Sequence, residues 1–182
     1  MARVGDALDA ARAGALPLVA DAGALAALPE RLAPWIVLTP HAGELARLLD
    51  DRGERVSRPD VEAEPLRWAR RAHELTGATV LLKGHRTLIG APEERVAINA
   101  TGSGVLATGG SGDVLTGILA GFGTQLDARR AAYSAAYLHG IAGERRSGNG
   151  VDRGVLAHEI ADELPHALGA LRAEAGSRTL SR

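Results

Sequence analysis

Apolar residues are grouped along this chain in two different periods. Short aliphatic and β-branched runs occur at LPLVAD (16–21), WIVLTP (35–40), ATVLLKG (78–84), RTLIG (86–90) and RVAIN (95–99), and their length and composition predict β-strands. Helical spacing takes over in GDALDAARAG (5–14), AGELARLLDD (42–51), AEPLRWARRAHELTG (63–77), GDVLTGILAGFG (112–123), DARRAAYSAAYLHGIAGERR (127–146) and LAHEIADELPHALGALRAEAG (156–176). Early strands alternating with helices predict an α/β fold with a mainly parallel sheet covered on both faces. The close spacing of the runs from 78 to 99 fits an antiparallel segment. Asp127 stands where its side chain can cap the following helix, and Gly77 and Gly123 stand where helices can end.

Length and composition narrow what such a fold can be used for. With 182 residues the chain is expected to form one domain over residues 1–175, followed by a polar, frayed tail at 176–182. A net charge of -1 and a pI near 6.6 give no field to steer it to nucleic acid or to an acidic membrane surface. No apolar run approaches the ~20 residues of a membrane helix, so a cytoplasmic protein is expected. The absence of cysteine excludes disulfides, thiol nucleophiles and sulfur-ligated metals. Among twenty arginines there is a single lysine, Lys83. A site that needs a compact ammonium would keep a lysine where guanidinium serves elsewhere, although a solvated surface residue also satisfies the count.

The stretch ATGGSGDVLTGILAGFG (107–123) sets a glycine-rich turn against an apolar helix with Asp113 at its mouth. A dinucleotide fingerprint at GSGVLA (102–107) fails on context, because the helix starts about ten residues too late and no further strand follows. No Lys follows a glycine in the order of a phosphate-binding Walker loop. A purely structural turn explains Asp113 through the helix dipole but leaves the glycines costly to order. An anion hole explains both: free amides of Gly109, Gly110, Ser111 and Gly112 would receive phosphate oxygens, with Asp113 facing the reacting group as a base.

TPHAGEL (39–45), LLKGHRTLI (81–89), INATGSGVLATGGSGDVLTGILAGF (98–122) and YLHGIAGE (137–144) resemble, in order and spacing, the motifs of the ADP-dependent NAD(P)H-hydrate dehydratases. These enzymes belong to the ribokinase-like superfamily. The resemblance implies a three-layer sandwich around a mainly parallel sheet, and a repair reaction on hydrated NADH or NADPH. In that reaction ADP phosphorylates the hydrate hydroxyl and phosphate is then eliminated, with Mg²⁺ neutralising charge. By the same resemblance Asp113 is the catalytic base and contacts the hydrate together with His41. Lys83, Gly84, His85, Arg86, Thr87 and Gly112 bind the nucleotide, and Glu44 holds the metal indirectly. His139 is expected to pack or hydrogen-bond within its helix. Asn99 and Thr101 are expected to brace the glycine loop.

Two departures from the family pattern stand out. DAGALA (21–26) replaces a common DADALN, and TGSGVLATGG (101–110) replaces a common TGNPGMATGG. The chain matches the C-terminal two thirds of the family domain, so the early strands are expected to be missing, and the exposed sheet edge favours a homo-oligomer or another pairing. Other readings are a ribokinase-like small-molecule kinase and a non-catalytic nucleotide-binding or assembly fragment.

Overall fold

The computed structural model describes residues 2–14, 17–91, 95–148 and 152–180. The chain partitions into two compact units, one of Met1–Asn99 with Leu119–Ser134 and one of Ala100–Ile118 with Ala135–Arg182.

The first unit carries a five-stranded sheet in the order β1 (Leu18–Ala20), β2 (Ile36–Leu38), β3 (Thr79–Leu82), β4 (Thr87–Gly90), β5 (Ala97–Asn99). All five strands fall within runs predicted from the sequence. β1, β2 and β3 are parallel, with Val19 opposite Val37 and Val37 opposite Thr79. β3, β4 and β5 are antiparallel, with Leu81 opposite Ile89 and Leu88 opposite Ile98. The sheet is therefore mixed: the interleaved helices impose parallel crossovers on its first half, and short connections impose hairpins on its second.

Helices α1 (Ala2–Gly14), α2 (Ala42–Asp50), α3 (Arg58–Ala63) and α4 (Pro65–Thr76) belong to the same unit. Leu45, Leu48 and Leu49 of α2 recur at helical spacing and are all but fully buried, joining Ile36, Leu38, Val61 and Val80 in one core. Each such aliphatic side chain stabilises the fold by about 1.5–3 kcal/mol relative to exposure. α4 packs on β3 and β4. The approach is close at Gly90, where a β-carbon would stand 3.0 Å from the Ala69 carbonyl oxygen. α4 ends as predicted at Gly77, which takes the left-handed conformation at φ 78°.

α3 is not predicted by the apolar pattern, since Val61 is its one buried residue. Its ends hold it instead: Asp60 accepts from the backbone and hydroxyl of Ser57, closing a capping box. A short 3₁₀ turn at Ala22–Ala27 links β1 to the segment before β2.

Helices α5 (Ser111–Gly123), α6 (Ala128–Arg146) and α7 (Ala157–Leu180) follow the last strand. Asp127 caps α6 through a 2.8 Å bond from the Arg130 N–H to its Oδ1. α7 continues past the predicted end near Gly176 to Leu180. In the second unit Val105, Ala135, Ala136, Ala142 and Ile160 form part of the buried interior. Among the described residues no helix is long and apolar enough to cross a membrane.

Candidate active site

The carboxyl ends of parallel strands are where α/β sheets assemble sites, because the chain leaves each strand there into a loop or a helix N-terminus. In the first unit this edge collects Asp21 just after β1, His41 just after β2 and Lys83 just after β3. His41 and Lys83 sit side by side in an extra parallel bridge, and the Lys83 N–H donates to the Pro40 carbonyl at 2.8 Å. The Lys83 ammonium donates to Oδ1 of Asp21 at 2.8 Å and stands 4.0 Å from Oε2 of Glu44. Burial by itself would raise the Asp21 pKa. The hydrogen bond and charge of Lys83, with help from Thr39 and Ala22, outweigh it and hold the carboxyl below its ordinary value. The sequence alone does not single out Asp21. Its signal was positional, since it follows β1 as His41 follows β2 and Lys83 follows β3.

His41 caps α2. Its Nδ1 accepts from the N–H groups of Gly43 (3.0 Å) and Glu44 (3.2 Å), and its own N–H donates to Oε2 of Glu44 at 2.8 Å. An accepting Nδ1 carries no proton, so in the neutral ring the proton lies on Nε2, on a side chain 55% exposed and 3.6 Å from Oε1 of Glu44. Gly43 lets the ring fold back, for a β-carbon there would lie 3.1 Å from the imidazole Cε1. Glu44 is thereby committed to the cap. Among the described residues no cluster of three His, Asp or Glu side chains could hold a metal. Gly84, His85 and Arg86 form the exposed connection from β3 to β4, and half-buried Thr87 begins β4. Gly23 and Ala26, the departures from the family pattern, help line a hollow of about 330 Å³ that also takes in Glu44 and Arg47.

The second unit holds the glycine turn. Gly110 adopts φ 86°, a left-handed conformation that glycine reaches without strain, and a β-carbon there would meet that of Ala157 at 3.1 Å. The Ser111 N–H is directed at the Thr108 carbonyl (3.3 Å), and those of Asp113 and Val114 at the Gly110 carbonyl (3.1 and 3.2 Å). Among the described residues the N–H groups of Gly109, Gly110 and Gly112 donate to no other residue. Of the four amides expected from the sequence to receive an anion, that of Ser111 is used within the turn. Asp113 lies exposed in the first turn of α5.

The loop before this turn is laid on α6. The Thr101 hydroxyl donates to the Tyr137 carbonyl at 3.1 Å, and the Gly102 N–H donates to Oε1 of Glu144 at 2.8 Å. Ser103 shares a hydrogen bond with Ser147. Gly140 and Gly143 make the approach possible. A β-carbon on Gly140 would fall 2.0 Å from the Thr101 hydroxyl oxygen, and one on Gly143 would fall 2.6 Å from the Leu106 side chain. YLHGIAGE is therefore the surface that shapes the glycine loop, a role invisible in a helical wheel. Asn99 is buried at the end of β5, opposite Thr87.

A family model described as Carb_kinase, NAD(P)H-hydrate dehydratase, matches residues 2–166. The chain belongs to this family. Among relatives, the bifunctional NAD(P)H-hydrate repair enzyme Nnr of Moorella thermoacetica is 42% identical over 166 residues, covering 87% of this chain and 30% of that protein. An ADP/ATP-dependent NAD(P)H-hydrate dehydratase from Bacillus subtilis, co-crystallised with ATP/Mg²⁺ and soaked with CoA, superposes with a TM-score of 0.76 at 34% identity. That match covers 85% of this chain and 56% of the solved one. A ribokinase-like superfamily protein from Enterococcus faecalis V583 superposes with a TM-score of 0.68 at 28% identity, over 84% and 52% of the two chains. The hydrate dehydratase family is thus joined here to a ribokinase-like α/β fold, as the sequence motifs imply. The chain spans 30% to 53% of the length of the curated relatives from Moorella thermoacetica and Bacillus subtilis.

Proposed function

We propose that this chain carries the catalytic half of an ADP-dependent dehydratase that restores NADH or NADPH from its hydrate. The conjunction that supports the reading most is a glycine turn with unengaged N–H groups, followed within one helical turn by Asp113, in a member of the hydrate dehydratase family. In the proposed reaction Asp113 takes the proton of the hydrate hydroxyl as its oxygen attacks the terminal phosphorus of ADP, and AMP leaves. The phosphorylated hydrate then loses phosphate and a neighbouring ring proton, and the ring double bond is restored. Phosphate leaves far more readily than hydroxide.

The amides of Gly109, Gly110 and Gly112 suit the oxygens of the transferring phosphoryl group, and Gly112 is the one we assign to the nucleotide. Lys83 supplies a compact positive charge, with Gly84, His85, Arg86 and Thr87 completing the nucleotide segment. His41 offers its Nε2–H to the hydrate. The residues present do not fit a protein-bound Mg²⁺, since Glu44 is committed to the α2 cap and the Lys83 neighbourhood. A magnesium ion that accompanies ADP would take its ligands from phosphate and water, with Glu44 acting on it at most indirectly. A cytoplasmic location and self-association complete the proposal, and sedimentation with and without ADP tests the latter.

The decisive assay adds the purified chain to NADH hydrate with ADP and Mg²⁺ and follows the return of reduced nicotinamide absorbance. Recovery that requires ADP is expected. The reading is overturned by recovery indifferent to nucleotide. It is equally overturned by no recovery, both from this chain and from this chain joined to the upstream half of a longer relative.

A further inference from the structure

Ser111 and His139 form a buried polar pair that the proposed reaction does not use. His139, on α6, is 7% exposed and Ser111 3% exposed, and the imidazole Nε2 lies 3.1 Å from the serine Oγ. Burial pushes the His139 pKa down from 6.5 to about 4, only partly offset by its contact with Ser111, so the ring is neutral at physiological pH. A neutral imidazole has one donor and one acceptor nitrogen, and a hydroxyl rotates to serve either. The bond between them can therefore form whichever partner donates.

The place of this pair in the chain gives it more than a packing role. Ser111 is the first residue of α5 and stands between Gly109 and Gly110 on one side and Gly112 and Asp113 on the other. Glycines have no side chains by which a fold can grip them, and they have the largest conformational freedom to lose. Oriented donors assist phosphoryl transfer only if they are fixed before the charge develops. The Ser111 hydroxyl is a side-chain handle inside the glycine run, and α6 holds it.

We propose that His139 is a positioning residue that, through the Ser111 hydroxyl, fixes the Gly109–Asp113 turn so that the amides of Gly109, Gly110 and Gly112 face a phosphate together. The inference rests on the dehydratase reading for the identity of the anion, and on the buried pair alone for the ordering of the turn. α6 thus does two jobs for one loop: Gly140 and Gly143 admit its first half, and His139 anchors its second.

The test compares the full chain with its His139→Leu, His139→Gln and Ser111→Ala variants. The readouts are amide hydrogen exchange resolved by residue and the dissociation constant for ADP. Leucine removes the bond and keeps bulk, glutamine can rebuild it, and alanine at 111 deletes one oxygen without enlarging any side chain. In His139→Leu and Ser111→Ala, exchange at the amides of 111, 113 and 114, which are hydrogen-bonded within the turn, should accelerate about tenfold, and ADP should bind about tenfold more weakly. Amides of β2 and β3 should be unchanged, and His139→Gln should recover most of both effects. The inference is overturned if Ser111→Ala leaves exchange at the amides of 111, 113 and 114 as it was, or if exchange rises alike across the whole chain. A wild-type chain that fails to bind ADP, yet shows the local exchange response in both variants, would remove the dehydratase reading and uphold the anchoring of the turn.

Discussion

Lys83 Nζ lies 2.8 Å from Oδ1 of Asp21, so the chain's single lysine is tethered to the end of a strand two positions away in the sheet. The tether aims the ammonium as well as neutralising it. Lys83→Ala should weaken ADP binding by roughly tenfold or more while leaving the fold intact. Asp21→Asn should produce a smaller loss, because the charge survives and only its anchor goes. Calorimetric titration with ADP checks both, and an unchanged constant in Lys83→Ala would reduce that lysine to a structural ion-pair partner of Asp21. Because the Asp21 carboxyl titrates below its ordinary value, its contribution to stability is complete above about pH 4 and is lost as pH falls through the lower folded value. Asp21→Asn should therefore flatten the most acidic part of the stability profile.

Asp113→Asn separates catalysis from helix capping. If the carboxylate is the base, turnover should fall by roughly 10²–10⁴-fold with ADP affinity nearly unchanged. If it serves only the helix dipole, turnover should persist and stability should drop by about 0.3–1 kcal/mol. Steady-state rates beside thermal melts distinguish the two.

His139 gives the protein an acid-sensitive point at a higher pH. Its folded pKa of about 4 lies below the ordinary 6.5, so the unfolded chain takes up a proton that the folded chain resists. Stability from this group is complete above pH 6.5 and declines as pH falls toward 4, by about 3 kcal/mol in all. Denaturant titrations at pH 7 and pH 4.5 should show this loss in the wild type and much less of it in His139→Gln.

Glycines inside helices respond oppositely according to what faces them. Gly140→Ala should destabilise the protein by about 1–3 kcal/mol, because the new β-carbon would lie 2.7 Å from the Thr101 carbonyl carbon as well as against its hydroxyl. Gly169→Ala in α7 has open space around it and should stabilise by about 0.5–1 kcal/mol. Melting temperatures of the two variants moving in the same direction would refute the packing argument at Gly140.

What the sequence disclosed and what it hid divide along physical lines. β1 to β5 were legible because short aliphatic runs bounded by glycine, proline and polar residues leave few alternatives, and connection length told parallel from antiparallel. α3 was hidden because one buried valine makes no periodicity, although Ser57, Pro59 and Asp60 wrote its start. Lys83, His41 and Asp113 were singled out through motif resemblance and composition. Asp21 was passed over because an aspartate after a strand is common, and only its 2.8 Å contact with Lys83 singles it out. Gly140 and Gly143 read as mild defects of a helix until Thr101 and Leu106 are seen lying against them. His139 was expected to pack or to hydrogen-bond within its helix, and it is indeed buried. Its partner lies 28 residues away, at a separation no local pattern reports.

The mixed sheet also sets an order of assembly. β3, β4 and β5 find their neighbours across the short stretches 83–86 and 91–96, whereas β2 reaches β3 across 39–78 and β1 reaches β2 across 21–35. Closing short loops costs least, so the β3–β5 meander is expected to form first, and the β1–β2 pair to join it last across the longer stretch 39–78. Pulse-labelled exchange should show β4 amides protected before those of β1. Since Asp21 arrives with that parallel pair, the ammonium of Lys83 stays unaimed until the two halves of the sheet have joined.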